Sequence, residues 1–111
     1  MDETPDFGLT PEATEWILKC IRMFPEIEEV ILFGSRAMGS YKRGSDIDFA
    51  LKGNFSDPDY PERLRILLEE GLYLPYFYDI IDYNKITDPN LKEHIDNVGK
   101  VFYEKAEDEL L

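Results

Sequence analysis

The sequence predicts an α/β (α+β) fold, a small mixed β-sheet flanked by helices, and three observations carry that expectation. Apolar residues run unbroken through Val30-Ile31-Leu32-Phe33 and alternate with polar ones from Ser45 to Leu51, the patterns of a buried and a half-buried strand. Thr10-Pro11-Glu12, Asp57-Pro58 and Asp88-Pro89 each join a capping side chain to a proline, and each precedes apolar residues at helical spacing. The 111 residues have room for one domain with one modest core, which the patterning places at about residues 10–103, with a polar tail at 104–111.

Taken in order, Thr10 caps a first helix whose Ala13, Trp16, Ile17, Cys20 and Phe24 share a face, and Pro25 follows its end. A strand from about Glu29 to Phe33 leads through Gly34 into a short helix from Ser35 to about Ser40. A second strand spans Ser45 to Leu51. Asp57-Pro58 opens a second long helix with Leu64, Leu67 and Leu68 inward and Gly71 as its C-cap. The aromatic and β-branched run Leu74-Pro75-Tyr76-Phe77-Tyr78-Asp79-Ile80-Ile81-Asp82-Tyr83 reads as a further strand, with Tyr73 extending its aromatic character. Asp88-Pro89 opens a last helix carrying Leu91, Ile95 and Val98 and ending at Gly99. His94, beside Glu93 on that helix, reads as a surface residue. Val101-Phe102-Tyr103 reads as a short strand or a docking segment, and Glu104 to Leu111 as a fraying end.

The chemistry concentrates between Phe33 and Asp48, where Phe-Gly-Ser-Arg-Ala-Met-Gly is followed by Ser-Asp-Ile-Asp and ten residues separate Ser35 from Asp46. Gly34 has no Cβ, so a phosphate can come close to the chain, and the Ser35 hydroxyl and nearby amides can donate to it. Strand alternation puts Asp46 and Asp48 on one face, about 6.6 Å apart at the backbone, with Ile47, Phe49 and Leu51 toward the core. Two carboxylates that close raise each other's pKa unless a cation compensates them, and Mg²⁺ binds through one or two carboxylates together with substrate phosphates. Either half alone is ordinary: Asp-x-Asp suits any solvated strand in a chain with 24 acidic residues, and Gly-Ser suits any tight turn. Joined in one unit, with Arg36, Lys42 and Arg43 as candidates to meet phosphate oxygens, they point to nucleotide chemistry.

The Gly-Ser, ten residues, Asp-x-Asp pattern resembles the signature of the polymerase-beta-like nucleotidyltransferase superfamily, and the short chain resembles its minimal nucleotidyltransferase (MNT) branch over about residues 10–103. The resemblance implies that Gly34 and Ser35 hold a triphosphate and that Asp46 and Asp48 ligate divalent metal, two Mg²⁺ ions serving an in-line displacement at the α-phosphorus of ATP. It also calls for a third carboxylate on a later strand. Asp79, in the middle of an apolar run, is the choice over Asp82, which lies by the Asn84-Lys85 turn. By the same resemblance the partner is a cognate HEPN protein, and the reaction is transfer of AMP to a tyrosine of that toxin. Rival readings are adenylylation of a small hydroxylated compound such as an aminoglycoside, a non-catalytic antitoxin acting by contact, and a nucleotide sensor that binds ATP without transferring it.

The net charge of −12 and a pI near 4.4 argue against general binding to nucleic acid, which needs basic surface, and suit a basic protein partner. No apolar run approaches the roughly 18 residues of a membrane span, and the acidic start Met1-Asp2-Glu3 is unlike a basic signal peptide, so a cytoplasmic protein is expected. Cys20, the single cysteine, excludes an internal disulfide and reads as a packed thiol.

Overall fold

A computed structural model describes residues 7–42, 44–71 and 76–105. The elements run α1 (Pro11–Arg22), β1 (Ile27–Phe33), α2 (Gly34–Met38), β2 (Ile47–Gly53), α3 (Tyr60–Glu69), β3 (Tyr78–Asp82), a 3₁₀ turn (Tyr83–Lys85), α4 (Pro89–Val98) and β4 (Lys100–Glu104). Strand order in the one sheet is β3-β2-β1-β4. β1 pairs antiparallel with β2 and β4, while β2 and β3 run parallel. The sheet is therefore mixed, and α3 is the crossover that a parallel pair requires.

Local chemistry accounts for the helices. The Thr10 side chain accepts from the Ala13 N–H at 3.1 Å, and the Asp88 side chain accepts from the Asn90 N–H at 2.9 Å, so both expected caps form. α3 starts later than expected, at Tyr60. Asp57 instead makes the turn before it: its side chain accepts from the Asp59 N–H at 2.8 Å and its carbonyl from Tyr60 at 3.1 Å. The C-cap of α3 is Glu70, and Gly71 serves it by lying against Trp16: a Cβ built on Gly71 would stand 2.6 Å from the indole Nε1. That indole N–H donates to the Leu68 carbonyl at 3.0 Å, tying α1 to α3.

Alternation divides the sheet into two faces. Val30, Leu32, Ile47, Phe49 and Leu51 pack with Ala13, Ile17, Cys20 and Ile21 of α1 and with Leu64 and Leu68 of α3, forming the larger core. Burial raises the Cys20 thiol to about 11, so it is an inert packed group. On the opposite face Ile31, Phe33 and Ala50 meet Ile95 of α4 in a smaller cluster, flanked by half-buried Ile81, Tyr83 and Leu91. Val101-Phe102-Tyr103 lies inside β4, an edge strand on β1, and Lys105 continues the contact by donating its N–H to Glu28 O at 2.9 Å. Expectations for residues 1–6, Tyr73 to Pro75, and the tail from Ala106 fall outside the described residues. Among those described, no helix is long and apolar enough to cross a membrane.

Candidate active site

The site forms on the α4 face of the sheet, where β1 ends and β2 and β3 begin. The antiparallel register sets Phe33 opposite Asp48, and the parallel register sets Asp48 beside Asp79. Neighbouring strands lie about 4.8 Å apart, so the last residue of β1 and two carboxylates share one small region. Ala50 and Ile81, the next pair along this face, pack into the α4 cluster, which fixes the side on which Asp48 and Asp79 stand. Asp82 pairs with Leu51 at the far end of β3 and accepts the Asn84 N–H at 2.9 Å, a turn cap rather than a neighbour of Asp48. Asp46 is exposed and sits one residue before β2. The strand starts at Ile47, whose N–H donates to Phe77 O at 2.9 Å, and not at Ser45.

β1 turns into α2 at Gly34, whose φ of 75° is one that L side chains rarely adopt. A side chain there would also have to push the Asp48 carboxylate aside, since a Cβ built on Gly34 would stand 2.3 Å from Asp48 Oδ2. The backbone of the turn thus lies directly against the carboxylate, which is the close approach a phosphate cradle beside a metal ligand requires. Ser35, half-buried, follows at the head of α2.

Asp48 carries the electrostatic load of the site. Burial first, and then the charges of Asp79 and Asp46, push its carboxyl up to about 6, with Arg36 opposing them in part. Asp48 and Asp79, in register on adjacent strands, are a pair of the kind through which a hard divalent cation is bound. Among the described residues no three His, Cys, Asp or Glu side chains are gathered tightly enough to enclose an ion by themselves. The Asp48 and Asp79 pair alone supplies the one or two carboxylates through which Mg²⁺ is usually bound, its other ligands being waters and substrate phosphates.

The three expected cations fare differently. Arg36 is only 3% exposed. It donates through Nε and Nη2 to Ser45 O at 3.2 and 2.9 Å and through Nη1 to Phe7 O at 2.8 Å. Its guanidinium also lies 5.3 Å from the Tyr41 ring and 5.2 Å from the Tyr76 ring. The expected phosphate ligand is therefore given internal partners, and what it holds is the loop that delivers Asp46. Lys42 is exposed, and its backbone N–H donates to the Ser45 hydroxyl at 2.8 Å. Arg43 lies outside the described residues.

His94 departs from its expected surface position. It is half-buried, its Nε2 accepts the Gly34 N–H at 3.3 Å, and its ring meets Phe33 edge-on with centroids 6.1 Å apart. The signal was present in the helical period: position 94 lies three residues after Leu91 and four before Val98, on the face that α4 turns to the sheet.

A glycine turn pressed against a carboxylate, with a second carboxylate in register on the adjacent parallel strand, is an arrangement that can receive a phosphate and a cation together. The family model described as "Polymerase beta, Nucleotidyltransferase" matches residues 15–108, and the chain belongs to that family. It is similar to a chain of a toxin–antitoxin structure with AMP-PNP, at 25% identity and a TM-score of 0.68 over 87% of this chain and 77% of that one. A second similar structure is a tri-AMPylated Shewanella oneidensis HEPN toxin in complex with an MNT antitoxin, with 22% identity, a TM-score of 0.63 and coverage of 89% and 76%. A third is the MntA–HepT toxin–antitoxin, with 21% identity, a TM-score of 0.63 and coverage of 91% and 78%. No curated protein sequence matches the chain.

Proposed function

We propose that this nucleotidyltransferase transfers AMP from ATP to a tyrosine hydroxyl of a HEPN-type toxin and so acts as its antitoxin. The observation that carries the reading is the 2.3 Å approach of a built Gly34 Cβ to Asp48 Oδ2, which makes the phosphate cradle and the acidic group one volume. The similar structures add a nucleotide analogue in one case and an AMPylated toxin in another. The charge of −12 suits a basic protein acceptor better than an anionic one.

The Gly34 amide and the Ser35 hydroxyl would donate to the triphosphate, and Asp46, Asp48 and Asp79 would hold Mg²⁺. When bound, the metal neutralises phosphate charge and makes the acceptor hydroxyl more acidic. Asp79 is exposed beside Asp48 and takes the proton as the acceptor oxygen bonds to the α-phosphorus and the bond to the departing pyrophosphate breaks. Arg36 holds the Ser45 loop so that Asp46 stands at the mouth of the site. Positioning and charge stabilisation do most of the work, which a small domain can supply.

The test is transfer of label from α-³²P-ATP, with Mg²⁺, to the protein encoded beside this one, run in parallel with Asp46→Ala and Asp48→Ala. Label on the neighbour that disappears in both variants is the expected result. Neutralisation of the toxin by both variants without label would replace transfer with inhibition by contact, and label on an aminoglycoside instead would change the acceptor class.

A further inference from the structure

The Gly34 amide belongs to the turn that lies against the Asp48 carboxylate, and in this structure it is already taken by an imidazole. His94 Nε2 accepts it at 3.3 Å. An accepting Nε2 corresponds to the tautomer with the ring proton on Nδ1. A phosphate oxygen that takes over the same amide must displace Nε2 and then lies beside it. The imidazole can meet that oxygen with no change of charge, because moving its proton from Nδ1 to Nε2 turns an acceptor into a donor.

We propose that His94 is a phosphate-binding residue of this site: it accepts the Gly34 amide and, where a triphosphate oxygen takes that amide, donates to the oxygen. This rests on the ATP reading given above. Two observations support it besides the hydrogen bond. Arg36 is committed to the Ser45 and Phe7 carbonyls, so the cation nearest in sequence to the cradle is turned inward, and a basic group from another element contacts the cradle instead. The mounting of His94 is also rigid. Ile95 beside it is buried, the ring packs on Phe33, and Tyr83 Oη donates to Asp96 Oδ1 at 2.6 Å, fastening α4 to the segment after β3.

The experiment is calorimetric titration of the full chain with inorganic tripolyphosphate and Mg²⁺, for the wild type, His94→Ala, His94→Phe, His94→Gln and Ser35→Ala, with a thermal melt of each. His94→Ala and His94→Phe are expected to bind about tenfold more weakly, the scale of one hydrogen bond to a charged group, with His94→Phe keeping the ring contact to Phe33 and hence the wild-type melting temperature. His94→Gln, which has both a donor and an acceptor, is expected to recover binding to within about threefold of wild type. Unchanged or tighter binding by His94→Ala and His94→Phe overturns the proposal, as does a His94→Gln as weak as His94→Ala. Ser35→Ala separates the two readings. If it weakens binding while the His94 variants do not, only the role of His94 falls; if the wild type binds no tripolyphosphate, the phosphate cradle and His94 fall together.

Discussion

Asp48→Asn keeps the shape of the side chain and removes its charge, and it should stabilise the protein while abolishing its activity. In the fold the carboxyl is raised from an ordinary 3.8 to about 6 by burial, Asp79 and Asp46. The folded chain then keeps this proton at pH values where the unfolded chain has lost it. Stability from the group is intact below the unfolded value, declines as pH rises from 3.8 toward 6, and is fully lost above that. At about 1.36 kcal/mol per pKa unit, a rise from 3.8 to about 6 has an upper bound of ~3 kcal/mol. Asp48 is still partly open to solvent, and screening reduces this to ~1 kcal/mol.

Urea denaturation without divalent metal, at about pH 4.5 and about pH 8, reads the effect. Asp48→Asn is expected to exceed the wild type by ~1 kcal/mol at the higher pH, roughly 4 °C in melting temperature, and by about a third of that at the lower. Mg²⁺ at the higher pH should raise the wild type and leave the variant where it is, narrowing the gap. A stability difference that does not grow with pH, or a variant less stable than wild type at about pH 8, would refute the argument that burial, and after it the charges of Asp79 and Asp46, disfavour the ionised Asp48 carboxylate.

Gly34→Ala combines an unfavourable φ of 75° with a Cβ 2.3 Å from Asp48 Oδ2, so urea melts should show a loss of ~2–3 kcal/mol and titration a loss of ATP binding; a loss below ~0.5 kcal/mol would mean that the cradle is slack. Arg36→Lys keeps the charge but cannot bridge the Ser45 and Phe7 carbonyls, and it should cost ~2–3 kcal/mol and lower turnover more than nucleotide affinity. Lost affinity at unchanged stability would instead make Arg36 a phosphate ligand. Asp79→Asn should reduce label transfer by about 100-fold or more, whereas Asp82→Asn, a turn cap away from Asp48, should stay within about twofold; equal losses would contradict the register argument.

What could be read from the chain, and what could not, follows from how far apart the deciding atoms lie in sequence. Caps at Thr10 and Asp88 and the inward set Ile47, Phe49 and Leu51 are decided within a few residues, and the structure has them all. The start of β2 is decided by Phe77, thirty positions downstream, so Asp46 fell just outside a strand expected to contain it. The parallel pairing that sets Asp79 beside Asp48 depends on the α3 crossover, which no local pattern specifies; the choice of Asp79 rests on resemblance, because the expected cost of burying a carboxylate in an apolar run does not arise for a side chain exposed on the edge strand β3. Arg36 shows the limit most clearly. A guanidinium two residues after a cradle glycine looks the same in sequence whether it meets phosphate or the carbonyls of Phe7 and Ser45, because the donors are identical and only the fold selects the acceptor. His94 is the converse case, since sixty residues separate it from the amide it holds, and only its place in the helical period marked it as facing the sheet. Asp46 and Asp48 announced themselves through spacing, while the basic groups of the site were exchanged by the tertiary structure: the arginine expected at the phosphates became a strut for the Asp46 loop, and the histidine expected in solvent took the amide of the turn against Asp48.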